Sequence, residues 1–272
     1  MRPDAQQDIL EEFLGSAEQA ALFLDVDGTL VPIAETPEAV VVNERLLGTL
    51  FALDRALGGA VALVSGRAIA DLDRLFAPAR FPAAGLHGLE RRDAAGQRHD
   101  DGDEAALESL RGPLAAFAAD HPGVLLEDKG RAIALHYRKA PEAAAAARAQ
   151  VERLVAPLHD HLAVVPGKMV FEIKPVSADK GVAVAAFMAE PPFAGRRPAF
   201  IGDDVTDEDG FKFVNDLGGV SVKVDEHLGD QPSAAVARLA DVEAVGDWLR
   251  ALLVATGATA AEAAPSAQER SA

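Results

Sequence analysis

Short apolar runs recur along the chain and alternate with stretches in which apolar residues return every three or four positions. The runs at 21–24, 60–64 and 198–202 have the length and composition of buried strands. The segments 43–57 and 180–188 show helical spacing, and Asn43 can cap the first of them. Strands that alternate with helices in this way predict an α/β fold with a parallel sheet.

The pattern changes between residues 104 and 175. Two helical segments, each followed by a pair of short strands, occupy this region: 104–119, 124–128 with 132–137, 142–158, and 162–165 with 169–173. This order predicts a small α+β unit with an antiparallel sheet, inserted into the larger α/β unit. Gly112-Pro113 predicts a kink or break in the first of these helices, because proline lacks the N–H that an interior helical position needs.

Alternation gives the inserted sheet two different faces. The apolar face is expected to pack on the helices, and it comprises Ile133, Leu135, Tyr137, Met169, Phe171 and Ile173. The other face is polar and cationic, and it comprises His136, Arg138, Lys168, Glu172 and Lys174. Such a face suits solvent, as in many antiparallel sheets, and it suits a sugar phosphate equally well.

Composition and charge narrow the classes of partner. The 272 residues carry a formal net charge of −17, which argues against nucleic acid or an anionic membrane as a partner. A small anionic substrate remains compatible, because a divalent cation and local lysines can reverse the sign of one pocket. The absence of cysteine excludes disulfides and thiol catalysis. With no long apolar segment, the sequence predicts a soluble, cytoplasmic protein.

Candidate chemistry begins where the first buried run ends. Asp25 and Asp27 follow it directly, and Gly28 allows a sharp turn. In an open α/β sheet, ligands bind beyond the carboxyl ends of the strands. A carboxylate there can attack phosphorus if a cation screens the charges, and a second one can carry a proton. A calcium loop starting at Asp25 is excluded, because it would need glutamate at its twelfth position, where Thr36 stands.

Three further groups follow or precede predicted strands in the same manner. Ser65 ends the second strand, where it could bind a phosphate or simply cap a helix. Lys180 opens a helix and could reach a phosphate beside Asp25. The acidic run Asp203-Asp204-Val205-Thr206-Asp207-Glu208 follows the third strand. Carboxylates this close repel one another, so the run favours a bound cation over a solvated acidic loop.

Together these pieces resemble the haloacid dehalogenase superfamily of phosphatases, and within it the trehalose-6-phosphate phosphatases. The resemblance is carried by LDVDGTL (24–30), SGR (65–67), GLHGLE (85–90), EDKG (127–130), HYR (136–138), PGK (166–168) with Glu172, and GDDVTDE (202–208). It implies a Rossmann-like parallel-sheet core, residues 1–103 and 176–255, with an α+β cap domain over 104–175. Residues 256–272 are predicted to be a disordered tail.

The resemblance also implies roles for individual residues. Asp25 would form an aspartyl-phosphate, Asp27 would act as acid and base, and Ser65 and Lys180 would hold the phosphate. Mg²⁺ would be held by Asp25, Asp203 and the backbone carbonyl of Asp27, with Asp204 and Asp207 acting through water or orienting other ligands. The expected substrate-binding residues are Gly66, Arg67, His87, Glu90, Lys129, His136, Arg138, Lys168 and Glu172.

The sequence is also compatible with other functions. The core motifs do not separate trehalose 6-phosphate from sucrose phosphate or mannosyl phosphoglycerate as substrate. A non-enzymatic phospho-acceptor module shares the acidic pocket, the Ser and the Lys, but it would lack Asp27 and would not need a cap. A catalytically idle partner of a synthase is disfavoured, because Asp25, Asp27, Lys180 and Asp203 are all intact. A functional link to a trehalose-phosphate synthase is left open.

Overall fold

The computed structural model describes residues 3–34, 36, 39–100, 104–176, 179–225 and 232–258. The chain divides into two compact units, one formed by Met1–His99 with Lys180–Ala272 and the other by Asp100–Asp179. The smaller unit thus spans 100–179, whereas the sequence pattern predicts a cap over 104–175. The predicted tail at 256–272 lies outside the described residues from 259 onward.

The larger unit is built around a strand whose five residues are all buried, β1 (Ala20–Leu24). The other strands of its sheet are β2 (Val61–Val64), β3 (Ala83–Gly85), β4 (Glu90–Arg92), β5 (Arg98–Asp100), β10 (Arg197–Gly202), β11 (Val220–Val224) and β12 (Ala237–Leu239). Within the described chain, the strand order is β12-β11-β10-β1-β2-β3-β4-β5. The strands from β12 to β3 pair in parallel, and β4 runs antiparallel to β3.

Helices pack on this sheet through aliphatic and phenylalanine side chains. They are α1 (Pro3–Leu14), α2 (Glu44–Ala56), α3 (Ile69–Leu75), α6 (Lys180–Met188), α7 (Glu208–Asp216) and α8 (Val242–Ala255). Asn43 caps α2 as predicted, accepting the N–H of Leu46 at 2.8 Å. The phenylalanines Phe23, Phe187 and Phe193 form a buried cluster with ring centroids 5.2–6.0 Å apart.

The smaller unit has two helices on one face of a four-stranded sheet, as far as the described residues show. Its elements are α4 (Glu104–Asp120), β6 (Leu125–Asp128), β7 (Ile133–His136), α5 (Ala144–Val155), β8 (Leu162–Gly167) and β9 (Val170–Pro175). The strands pair in the order β6-β7-β9-β8 and are antiparallel throughout. Ile133, Leu135 and Ile173 are fully buried against the helices, which confirms the predicted apolar face.

Some predicted elements were wrong. Of the kink or break predicted at Gly112-Pro113, the break does not occur: α4 continues to Asp120, because Leu107, Leu110 and Leu114 anchor the same face on both sides of the proline. The sequence predicts a last strand at 219–224 and a closing helix over 239–253. In the structure β12 follows the strand Val220–Val224, and the closing helix begins at Val242. Met169 lies in the turn between β8 and β9 with φ of 65°, so it does not join the apolar strand face.

No helix in the described ranges is both long enough and apolar enough to cross a lipid bilayer.

Candidate active site

The residues that follow β1, β2 and β10 come together at one edge of the sheet. Strand β1 lies between β10 and β2, with Leu24 opposite Ile201 on one side and Leu63 on the other. Because the three strands are parallel, Asp25, Ser65 and Asp203 emerge at the same edge, as the sequence pattern predicted.

Lys180 lies between two carboxylates. Its Nζ donates to Asp25 Oδ1 at 2.8 Å and to Asp207 Oδ1 at 2.6 Å. All three side chains are buried, with at most 7% of any of them exposed. Burial alone would lower the pKa of Lys180, but Asp207 and Asp25 raise it above its ordinary value, so the ammonium is charged.

Asp25 is a buried carboxylate with partners for both oxygens. Besides Lys180, Thr29 donates its hydroxyl to Asp25 Oδ2 at 3.2 Å. Burial raises the pKa of Asp25 well above its usual value; Lys180 opposes this shift, and Asp207 and Asp203 add to it. The ionised form therefore needs more positive charge than Lys180 supplies. Thr29 is a site residue that was not predicted from the sequence, although its place in the turn after Asp27 was the available signal.

A metal ion fits beside this group. Oxygens of Asp25, Asp203 and Asp207 lie within 4.8 Å of one another. A Cβ at Gly28 would stand 2.2 Å from Asp203 Oδ2, so this glycine, with φ of 84°, leaves the space that the Asp203 carboxylate occupies. Clustered carboxylate oxygens are the ligands that Mg²⁺ takes in proteins. The donor set thus fits a hard divalent cation.

The other acidic side chains of 203–208 accept hydrogen bonds from backbone N–H groups. Asp204 Oδ1 accepts the N–H of Val205 at 2.7 Å, and Asp207 Oδ2 accepts the N–H of Asp204 at 2.9 Å, which completes a capping box. Both oxygens of Asp207 are therefore engaged within the protein. Glu208 accepts the N–H of Ala234 at 2.7 Å and a hydrogen bond from Lys223 Nζ at 3.4 Å.

Asp27 is held by Arg67 and not by the acidic cluster. The guanidinium of Arg67 donates to both carboxylate oxygens of Asp27, each at 2.7 Å. The backbone N–H of Arg67 also donates to Ser65 Oγ at 3.2 Å. Ser65, Arg67 and Asp27 therefore form one connected group beside Asp25.

His87 and Glu90 lie against the loop that contains Ser65. The N–H of His87 donates to the carbonyl of Ser65 at 3.0 Å. The His87 ring covers Gly66, where a Cβ would stand 2.8 Å from Nε2. Glu90 accepts the N–H of Ile69 at 2.9 Å, so its carboxylate contacts the first residue of α3.

The smaller unit carries its polar residues on the sheet face opposite its helices. Lys129 and Glu172 form an ion pair at 3.1 Å in which each side chain is about one-seventh exposed. His136 Nε2 lies 2.8 Å from Glu127, and Arg138 donates to the carbonyl of Lys168 at 3.2 Å. Glu127 was missed as a candidate, although alternation along β6 places it on the same face as Lys129.

Comparison with known proteins identifies the family. The sequence profile of the trehalose-phosphatases matches residues 23–243. A Sinorhizobium fredii protein named as a probable trehalose-phosphate phosphatase is 48% identical over 238 residues, 85% of this chain and 90% of that protein. The trehalose-6-phosphate phosphatase of Escherichia coli is 45% identical over 236 residues, 86% of this chain and 87% of the other. The chain belongs to the trehalose-phosphatase family.

The fold agrees with this trehalose-phosphatase assignment. A haloacid dehalogenase-like hydrolase from Bacteroides thetaiotaomicron superposes with a TM-score of 0.60 at 15% identity, covering 85% of this chain and 98% of the other. At that identity the likeness concerns the fold alone. It confirms the predicted haloacid dehalogenase-like architecture, with its α/β parallel-sheet core.

Proposed function

We propose that this protein is a Mg²⁺-dependent phosphatase that hydrolyses trehalose 6-phosphate to trehalose and inorganic phosphate. The observation that carries the chemistry is the buried group in which Lys180 joins Asp25 and Asp207 beside Asp203. The family match, together with relatives of more than 40% identity that are named for this activity, supports the substrate.

Asp25, Asp203 and the backbone carbonyl of Asp27 would hold the metal. Bound there, Mg²⁺ would supply positive charge that offsets the charges of the carboxylates and the phosphate. Asp207 fixes Lys180 through Oδ1 and the turn at Asp204 through Oδ2.

Asp25 acts as the nucleophile. One of its oxygens forms a bond to phosphorus while the bond from phosphorus to the sugar 6-oxygen breaks, and Asp27 gives its proton to that oxygen. Asp27 then takes a proton from a water molecule that attacks phosphorus. The bond from phosphorus to Asp25 breaks in this second step, which releases inorganic phosphate and restores the Asp25 carboxylate and the protonated Asp27.

Lys180 and Ser65 bind the phosphoryl oxygens. The Lys180 ammonium is already 2.8 Å from Asp25, so a phosphoryl group in line with that carboxylate comes within its reach. Charge that is fixed before the reaction stabilises the transferring group without reorganisation. Ser65 supplies a hydroxyl at the same sheet edge.

The polar face of the smaller unit supplies sugar recognition. Lys129, His136, Arg138, Lys168 and Glu172 present donors and acceptors of both charges, which suits the many hydroxyls of a disaccharide. The chain's location in the cytoplasm and its link to a trehalose-phosphate synthase stay predictions.

Phosphate release tests this function directly. Purified protein with Mg²⁺ is assayed on trehalose 6-phosphate, sucrose 6-phosphate, glucose 6-phosphate, a mannosyl phosphoglycerate and an aryl phosphate. We expect strong preference for trehalose 6-phosphate, lost with EDTA and restored by Mg²⁺. Preference for another sugar phosphate would keep the Asp25 chemistry and reject the substrate. A phosphorylated chain that persists for minutes or longer without turnover would favour a phospho-acceptor module.

A further inference from the structure

The loop Ser65–Arg67 is held from one side by the segment Gly85–Glu90. Besides the bond from His87 to the carbonyl of Ser65, the N–H of Leu86 donates to the carbonyl of Arg67 at 3.0 Å. Gly85 lies so close that a Cβ there would stand 2.8 Å from the carbonyl oxygen of Arg67. The backbone of the loop is thus tied at both of its ends to one neighbouring segment.

This neighbouring segment adopts an unusual backbone conformation. Leu86 and His87 have φ of 50° and 58°, and Gly88 follows with 105°. The left-handed region disfavours L-residues by roughly 1 kcal/mol or more each, so surrounding contacts must maintain it. The contact of the His87 ring with Gly66 is one of these, and it leaves no room for a side chain at position 66.

Glu90 completes the support from the far end of the same segment. Ala68 stands at the N-cap position of α3 and has no side chain that could accept a helix N–H. Glu90 takes this role from another strand by accepting the N–H of Ile69, and its side chain is only 15% exposed. Arg98 donates to the same carboxylate oxygen at 3.3 Å.

Strand β4 and helix α3 are joined a second time, farther from the loop. Arg92 donates to both carboxylate oxygens of Asp73, at 2.7 and 2.8 Å. This pair links the same two elements as the Glu90–Ile69 contact but does not touch the loop. It therefore provides a matched control for any effect of Glu90.

We propose that Glu90 is a positioning residue for the phosphate-binding loop and does not bind the sugar. By fixing the first turn of α3, Glu90 sets the direction in which the preceding residues, Ser65 and Arg67, leave β2. This inference rests on the proposed function, because it takes the loop to bind the phosphoryl group. It replaces the expectation that Glu90 contacts substrate.

The test compares Glu90→Ala, Glu90→Gln and Asp73→Asn with the wild type. Steady-state kinetics are measured on trehalose 6-phosphate and on an aryl phosphate, inorganic phosphate binding is measured by calorimetry with Mg²⁺ present, and the melting temperature is recorded. We expect Glu90→Ala to lower kcat on both substrates by about tenfold and to weaken phosphate binding by a similar factor. Glu90→Gln should recover most of both, because its amide oxygen can accept the Ile69 N–H.

Three outcomes would overturn the proposal. A loss confined to trehalose 6-phosphate would make Glu90 a sugar ligand. An equal weakening of phosphate binding in Asp73→Asn would assign the effect to general destabilisation. If a folded Glu90→Ala protein bound phosphate with wild-type affinity, Glu90 would not position the loop Ser65–Arg67. If the wild type binds phosphate but hydrolyses neither substrate, the proposed function fails, and calorimetry still decides the role of Glu90.

Discussion

Arg67 binds both carboxylate oxygens of Asp27 in a fork, with both hydrogen bonds 2.7 Å long. The arginine side chain is 12% exposed and the aspartate side chain 36% exposed, so the more buried Arg67 holds the more exposed Asp27. In the proposed mechanism Asp27 passes a proton to the sugar oxygen. One oxygen of Asp27 must therefore leave the fork when substrate binds, while the other stays held.

This geometry predicts that the loss of kcat in Arg67→Lys depends on the leaving group of the substrate. Lysine keeps the charge but cannot bind two oxygens in one plane, so Asp27 loses its orientation. We expect kcat on trehalose 6-phosphate to fall about tenfold to a hundredfold. An aryl phosphate should lose much less, because a good leaving group departs without a proton. Arg74→Lys, which alters an exposed pair with Asp71, is the control; equal losses on the two substrates would contradict the assignment.

Removing the buried lysine should cost stability as well as activity. In Lys180→Met, Asp25 and Asp207 lose their shared cation while buried, and we expect the free energy of unfolding to fall by about 3–5 kcal/mol. Adding Asp207→Asn should recover part of this loss, because it removes one of the two like charges. Urea unfolding, monitored by the fluorescence of the single tryptophan Trp248, measures the free energy of unfolding of the single and the double variant.

The control for that series is Lys212→Met, since its pair with Asp209 is more than half exposed on both sides. We expect a change there below about 0.5 kcal/mol. If Lys180→Met were no more destabilising than Lys212→Met, the ion pairs around Lys180 would not hold this part of the fold together.

Asp54 lies away from the active site, and its buried carboxyl should make the free energy of unfolding depend on pH. Burial raises the pKa of this carboxyl from 3.8 to about 6, and Oδ1 is buried without a hydrogen-bond partner among the described residues. Because the folded state binds the proton more tightly, Asp54 disfavours folding increasingly as the pH rises from about 4 through 6. Asp54→Asn should therefore raise the free energy of unfolding at pH 7.5 by about 1–2 kcal/mol, allowing for the exposed part of the side chain.

The gain from Asp54→Asn should shrink toward pH 4, where Asp54 is protonated in the folded state and only partly ionised in the unfolded state. Unfolding curves of variant and wild type at pH 4.5 and 7.5 measure the difference. A gain that is equal at both values, or a loss at pH 7.5, would show that the pKa of Asp54 is not raised.

The smaller unit should govern which phosphate ester is used. Lys129→Met breaks the partly buried pair with Glu172, and we expect kcat/KM on trehalose 6-phosphate to fall at least tenfold while the aryl phosphate changes less than about twofold. Arg148→Met, which alters an exposed pair on α5, is the control and should change neither substrate. Parallel losses on both substrates would place Lys129 in phosphate chemistry instead of sugar recognition.

Local patterns were enough to predict the parts of the site that follow directly from strands. Asp25, Ser65 and Asp203 each come next after a buried run, and parallel strands put such residues at one edge whatever the intervening sequence. Helix α6 begins at Lys180, as its sequence indicated.

Contacts between distant segments could not be read from spacing. The fork between Arg67 and Asp27 joins residues 40 positions apart, and the cap that Glu90 supplies to α3 spans 21. Strand β12 is only three residues long, too short for an alternating pattern to reveal. The continuity of α4 through Pro113 depends on leucines that pack in the folded state, which outweigh the local preference of proline.

Trapping the covalent intermediate tests the central claim most directly. The protein is mixed with trehalose 6-phosphate and Mg²⁺, quenched during turnover, and treated with borohydride, which reduces an acyl phosphate on aspartate to homoserine. Peptide mass spectrometry should find homoserine at position 25, and none when Mg²⁺ is withheld or Asp25→Asn is used. Phosphate release with position 25 unmodified, or with the label on another carboxylate, would contradict the account.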